Sequence, residues 1–304
     1  MRTIIPNDCR EIDCFVIHFV HFLAMTLLTQ NYMYIDSHAH LNTSEFDKTR
    51  DELIPNLFSS DIWVINVGVN YLSSIKAIQI AEKYSSGVFA SIGLHPSNIK
   101  SDFTVKKYGA EGQEENKLEE NFDLDKYQEL AKSKKVIAIG EIGLDYWTSP
   151  KGETKKKEFK EKQIKIFNQQ LDLAEKLNLP IIIHTRVSLD DTFDALKNRK
   201  LKGVLHCFIG DIKDAERFLN LGYFIGLNGI IFKAEMDELI KWVPLDRVLL
   251  ETDCPYLTPP EFESEINNPF SLDIIAKKIA ELKDVSIKEI KKTTIENTRK
   301  LFNI

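Results

Sequence analysis

Eight short apolar runs, separated by stretches of helical period and spread over about 270 residues, predict an α/β protein of the (β/α)8 class, a TIM barrel. The runs are 34–36, 63–69, 88–92, 136–139, 180–183, 203–205, 223–227 and 248–250. Most are continuously apolar rather than alternating, as expected of parallel strands with helices on one face and a packed interior on the other. An open, doubly wound sheet is the competing arrangement, because periodicity alone does not establish closure.

The first 32 residues stand apart from this rhythm. Residues 14–28 read CFVIHFVHFLAMTLL, interrupted only by His18, His21 and Thr26. Such a segment rises about 22 Å as a helix, short of the roughly 30 Å hydrocarbon core of a bilayer. Arg2 and Arg10 are offset by Asp8, Glu11 and Asp13, and no small-residue cleavage site follows, which argues against a signal peptide. Residues 1–32 are therefore read as an N-terminal extension outside the barrel, with 33–304 as the barrel domain and Met33 as its natural start. A membrane or signal anchor and an extra packed helix are the alternatives, and any membrane contact is confined to 14–28.

Between the later runs, Phe159, Ile166, Phe167, Leu171, Ala174 and Leu177 mark one apolar helical stripe among lysines and glutamates. Ser286 and Glu289 have capping-box spacing ahead of Ile290. Residues 97–126 are polar, mostly acidic and without apolar period, and are expected to form a long surface loop. The composition excludes disorder, collagen and coiled coil. Cysteines at 9, 14, 207 and 254 make no disulfide framework. With 46 acidic against 40 basic residues and a net charge of −6, a globally basic nucleic-acid footprint is absent; a local patch or bound cations can still attract phosphate.

The chemistry collects where the runs stop. His38 and His40 follow the first run, and side chains two apart on a strand point the same way, so both imidazoles can grip one cation. Glu141 ends the fourth run, His184 the fifth, His206 the sixth, and Asp253 follows the eighth. The carboxyl ends of barrel strands share one mouth, so these six residues converge there. Four imidazoles and two carboxylates exceed the needs of one cation with an open position, and suit two divalent ions bridged by a carboxylate. Cys207 is expected to point away from His206, into the layer between barrel and helices, as a small buried side chain. Cys254 precedes Pro255 in a turn, and neither cysteine is assigned chemistry.

The motifs DSHAHLN (36–42), GLHP (93–96), GEIGLDY (140–146), LPIIIHTR (179–186), HCFIG (206–210) and ETDCPYLTPP (251–260) resemble, in order, those of the TatD family of metal-dependent hydrolases. The resemblance spans 33–304. It implies a TIM barrel that binds two divalent cations (Mg, Mn or Zn) and hydrolyses phosphodiesters, commonly as a cytoplasmic 3′→5′ exodeoxyribonuclease on single-stranded DNA. Carried over, His38, His40 and Asp253 would bind the more buried ion, Glu141 would bridge, and His184 and His206 would hold the second. His95 would face the scissile phosphate as a donor, and Arg186 would contact it or form a structural salt bridge. Asp253 would also accept the proton of the attacking water. Asp145, Tyr146 and Tyr256 lie in matched motifs without an assigned role, and no stable protein partner is inferred.

The chain departs from the family after ETDCPYLTPP, where a short basic stretch and Arg-Asn-Glu-Pro are usual. Here Glu263, Ser264, Glu265, Ile266, Asn267, Asn268 and Pro269 follow, so positive charge is lost and Asn268 stands in place of glutamate. That leaves the ligand set intact and puts the substrate in question. The competing substrates are an amide, a cyclic amide or the ester of an aminoacyl-tRNA, since an activated water serves all of them. A non-catalytic barrel is a further alternative, against which the intact ligand set argues.

Overall fold

The computed structural model describes residues 34–100, 120–262 and 266–304. The expectation of an N-terminal extension at 1–32 lies outside the described residues, as do the middle of the acidic 97–126 segment and Glu263, Ser264 and Glu265. The eight strands are β1 (Tyr34–Ala39), β2 (Ile62–Val67), β3 (Val88–Ile92), β4 (Val136–Asp145), β5 (Ile181–Arg186), β6 (Gly203–Leu205), β7 (Phe224–Leu227) and β8 (Val248–Leu250). They pair in parallel in chain order, β1 through β8.

Closure decides against the doubly wound sheet. Ala39 and Cys254 form a parallel bridge between the β1 and β8 ends. The Asp253 N–H donates to the His38 carbonyl at 2.9 Å, and the His40 N–H to the Cys254 carbonyl at 2.8 Å. Below them the buried Asp36 carboxylate accepts from the Thr252 hydroxyl (2.6 Å), the Thr252 N–H (3.0 Å) and the His38 N–H (3.1 Å). Burial pushes the Asp36 carboxyl up to about 7 despite these donors.

The described helices are α1 (Arg50–Ser59), α2 (Tyr71–Glu82), α3 (Leu124–Leu130), α4 (Glu153–Leu177), α5 (Leu189–Leu196), α6 (Ile212–Asn220), α7 (Asp237–Trp242), α8 (Leu272–Lys283) and α9 (Ile287–Phe302). Alternate strand residues separate two apolar layers. Ile65, Val67, Ile137, Ile182, Val204, Phe224 and Leu249 form an inner cluster with Leu301 and Phe302 of α9. Val64, Ile139, Ile181, Ile183, Leu205, Ile225 and Leu250 pack outward against the helices. Ser286 Oγ accepts from the Glu289 N–H at 3.2 Å, the forward half of the expected cap.

Three boundaries differ from expectation in ways that matter. The fourth run does not stop at Ile139: β4 continues to Asp145, so Glu141 lies inside the strand. Likewise β5 continues through His184 to Arg186. The flanks of the acidic 97–126 segment are ordered rather than loop, with an Ile99–Glu120 bridge and α3 capped by the Asp123 side chain. The reason there is an apolar anchor that period counting missed: Tyr127 is buried and its hydroxyl donates to Glu120 Oε1 at 2.6 Å.

Glycines explain how β4 runs on. Between Ile139–Ile181 and Ile142–Ile183 the register slips by one residue, a bulge that re-aims the side chain of Glu141. A second slip, between Asp36 and Ala39 of β1, accompanies His38. Gly143 has φ +145°, and a Cβ there would stand 2.0 Å from the His184 carbonyl oxygen. Gly143→Ala should therefore destabilise the fold by about 2–6 kcal/mol, backbone strain plus overpacking. A fall in the urea midpoint at unchanged slope would measure it; an unchanged midpoint would refute the close-approach argument.

Candidate metal centre

Glu141 is the hub of the mouth. Its Oε2 lies 3.5 Å from His38 Nε2 and 3.8 Å from His40 Nε2. Its Oε1 lies 3.0 Å from His184 Nδ1, 3.4 Å from His95 Nε2 and 3.8 Å from His206 Nε2. Asp253 completes the cluster, with Oδ1 at 3.3 Å from His40 Nε2 and 3.7 Å from His38 Nε2, and Oδ2 at 3.8 Å from His206 Nε2. The structure thus brings His38, His40, His95, Glu141, His184, His206 and Asp253 together. All are buried except the half-buried His184.

Within this cluster the ligand atoms group as His38–His40–Glu141, His95–Glu141–His184 and His206–Cys207–Asp253, with a further His38–His206–Glu251 set. His184 is therefore grouped with His95, whereas His206 stacks on His38, ring centroids 3.6 Å apart. Cys207 does not point away from the site as expected. β6 ends at Leu205, and Cys207 sits beyond it at φ +45°, so strand alternation no longer governs its direction. Burial raises its thiol far above the usual range, which keeps it a neutral neighbour.

Arg186 is not part of the cluster. Its guanidinium lies over the Trp147 ring, 4.6 Å from the centroid, and not on a site carboxylate. Nor do Asn267 and Asn268 face the mouth. Asn267 is buried and donates to the Thr252 carbonyl at 3.1 Å, while Asn268 Oδ1 caps a short 3-10 turn through the Phe270 N–H. Tyr256 packs edge-on to His40, centroids 6.3 Å apart.

Four positioning residues went unassigned in the sequence. Asp145 Oδ2 lies 3.2 Å from His184 Nε2 while its Oδ1 accepts from the Trp147 N–H. Glu251, fully buried, accepts from the Cys207 N–H (2.6 Å) and Asn228 Nδ2 (3.0 Å), with Oε1 2.9 Å from His206 Nδ1. That last approach sets the Glu251 carboxylate against the His206 ring and favours its protonated form. From α4, Gln163 brackets the backbone of Asp145 and Gln170 that of Leu94, each donating and accepting once. Glutamines seven apart on an otherwise apolar stripe were the legible signal.

Charge is distributed unevenly. Burial opposes protonation of His206, but Glu251 and Asp253 outweigh it and push the imidazole up to about 10. His40 and His184 are raised in the same way, against burial, by Asp253 and by Asp145 with Glu141. His38, desolvated and facing His206, is lowered. Glu141 and Asp253 stay below the carboxylate range despite burial, because imidazoles surround them.

Two outcomes follow from this arrangement. A cation must displace protons from raised imidazoles, so loading at neutral pH should release protons, and affinity should climb as pH rises toward about 10. Calorimetry in two buffers of different ionisation enthalpy would detect the release; equal heats would contradict it. Glu251→Gln should weaken metal binding by about 10–100-fold without unfolding the barrel, as read by metal titration.

Residues 35–303 match the family of TatD-related DNases. The chain is 35% identical over 280 residues to the metal-dependent hydrolase YabD of Bacillus subtilis, covering 90% of this chain and 100% of that protein. It is 30% identical over 274 residues to the human deoxyribonuclease TATDN3, covering 88% and 94%. The solved TatD homologue YjjV of Escherichia coli superposes with a TM-score of 0.73 at 28% identity, over 89% of this chain and 98% of the other. Matches of this extent leave no part of the barrel unaccounted for, and the chain belongs to the TatD-related DNase family of metal-dependent hydrolases.

Proposed function

We propose that this protein is a metal-dependent phosphodiesterase that shortens single-stranded DNA from its 3′ end, using two divalent cations. The observation that carries the reading is the buried carboxylate of Glu141, shared by imidazoles on both sides. The family name and the name of the human relative support DNA as the substrate. A cytoplasmic enzyme, with 33–304 as its barrel domain, is part of the same reading and is carried by the family resemblance alone. Among the described residues no helix is long and apolar enough to cross a membrane.

The donor set fits a cation. His38 Nε2 and His40 Nε2 face each other at 3.1 Å beside two ionised carboxylates, a concentration of lone pairs that a hard or borderline cation satisfies. His38, His40 and Asp253 would hold one ion with Glu141; Glu141, His184 and His206 would hold the other. Bound divalent ions supply positive charge for the phosphoryl oxygens and make water acidic enough to deprotonate near neutral pH.

The side chains supply the rest. Asp253, kept ionised by His206 and His40, can take the proton of the attacking water. His95 Nδ1 accepts from the Ser97 N–H at 3.1 Å, which assigns the ring proton to Nε2. That nitrogen faces the hub, where it can donate to a phosphoryl oxygen.

End-labelled single-stranded DNA, incubated with the full chain plus divalent metal, should give a ladder shortening from the 3′ end that chelator abolishes. No cleavage by protein shown to hold metal would overturn the reading in favour of a smaller ester or amide. Asp253→Asn should leave the circular dichroism unchanged and lower turnover by about 10²–10⁴-fold; near-wild-type turnover would remove Asp253 from the mechanism.

A further inference from the structure

Three consecutive strand-end loops at the mouth expose an apolar side chain: Trp147 after β4 (57% exposed), Val187 after β5 (66%) and Ile209 after β6 (50%). Isolated exposed apolar residues are ordinary, but a row of them beside a polar site marks a contact surface. Val187 is also held at φ +57°, a left-handed conformation that is costly for a β-branched residue. The Trp147 backbone is held next to the hub: its main-chain N–H donates to Asp145 Oδ1 at 2.9 Å, and Asp145 Oδ2 lies 3.2 Å from His184 Nε2. Arg186 lies against the indole face, 4.6 Å from its centroid.

Beside this rim lies a cavity of ≈ 780 Å³ lined by Tyr146, Ser149, Lys156, Lys157, Lys160 and Val187. The first half of α4 and the turn before it, residues 151–165, hold seven lysines against three glutamates in a chain whose net charge is −6. Carboxylates share the wall: Glu153 lies 3.3 Å from Lys156, Glu161 3.8 Å from Lys157, and Asp191 3.5 Å from Lys160. Exposed pairs of this kind are weak, so a phosphate can replace the carboxylate on each lysine. Gly152 provides no side-chain cap to α4, and the first-turn N–H groups add to the positive potential.

We propose that Trp147, backed by Arg186, is a stacking platform for a nucleobase of a single-stranded polynucleotide whose phosphates run along the lysine-lined cavity at the start of α4. The proposal rests on the phosphodiesterase reading and gives it a route for the strand away from the reacting end. An aromatic face with a cationic groove beside it is the combination that holds single strands without reading their sequence.

The test uses the metal-loaded full chain and fluorescently end-labelled, cleavage-resistant, phosphorothioate-linked oligo(dT) of two and twelve nucleotides, with affinity read from the anisotropy of the label and stacking from tryptophan emission. Twelve nucleotides should bind more tightly than two and quench emission. Trp147→Ala should lose about tenfold in affinity for the longer strand and most of the length dependence. Trp147→Phe, which can still stack, should keep the affinity and lose the quenching. Lys156→Gln with Lys157→Gln should flatten the logarithmic salt dependence by about 1.4. A wild-type protein that cleaves DNA while Trp147→Ala binds the longer strand equally well overturns the platform alone. A wild-type protein that neither binds nor cleaves DNA overturns the phosphodiesterase reading and the platform with it.

Discussion

One buried carboxylate within 3.8 Å of five imidazoles is the constraint on which the mouth of this barrel depends. Burial alone would neutralise Glu141; the imidazoles keep it ionised, and it in turn tolerates their crowding. The compromise is visible in the stacked pair His206 and His38, where Glu251 and Asp253 favour a proton on one ring while its neighbour is driven toward neutrality. A site so dense in lone pairs is better satisfied by a cation than by protons, which is the physical content of metal dependence here.

The rest of the barrel serves to hold that carboxylate in place. The β4 bulge turns Glu141 inward, and the glycine at 143 lets β4 lie close enough to β5 for His184 to meet it. Outside the ligands, Asp145 holds His184, Glu251 attracts His206, and two glutamines of α4 clamp the strand ends that carry Asp145 and precede His95. Asp36 ties β1 to the Thr252 N–H and hydroxyl just before Asp253, which joins the end of β1 that bears His38 and His40 to the segment that bears Asp253. Such outer partners make a site rigid before its ligand arrives, which lowers the cost of binding.

The charges of this acidic chain are segregated by position. Negative charge in the centre is matched by imidazoles, while the lysines are concentrated at 151–165, beside the end of the strand that bears Glu141. The positive charge missing from the sequence at 263–269 is thus present instead in α4. Net charge describes solubility and long-range fields; where a phosphate settles depends on the local arrangement.

Much of this was readable in the chain. Eight apolar runs and the placement of His38, His40, His184, His206, Glu141 and Asp253 after them carried the fold class and the gathering of the site, because parallel strands in a barrel all end at one face. The run lengths misled at β4, where a bulge and a close backbone approach use glycines inside the strand, and at β5, where polar His184, Thr185 and Arg186 continue it past the apolar run. Closure was invisible to periodicity and was decided by long-range bonds between β1 and the segment after β8. The same holds for Cys207, Arg186 and Glu251: their directions depend on where a strand stops and what packs across from it. By itself the sequence determined which residue types lie near the carboxyl end of each strand, a local matter of pattern. Tertiary structure alone decided which imidazole faces which carboxylate, because those distances join residues up to 215 positions apart (His38 and Asp253) and are set by barrel closure.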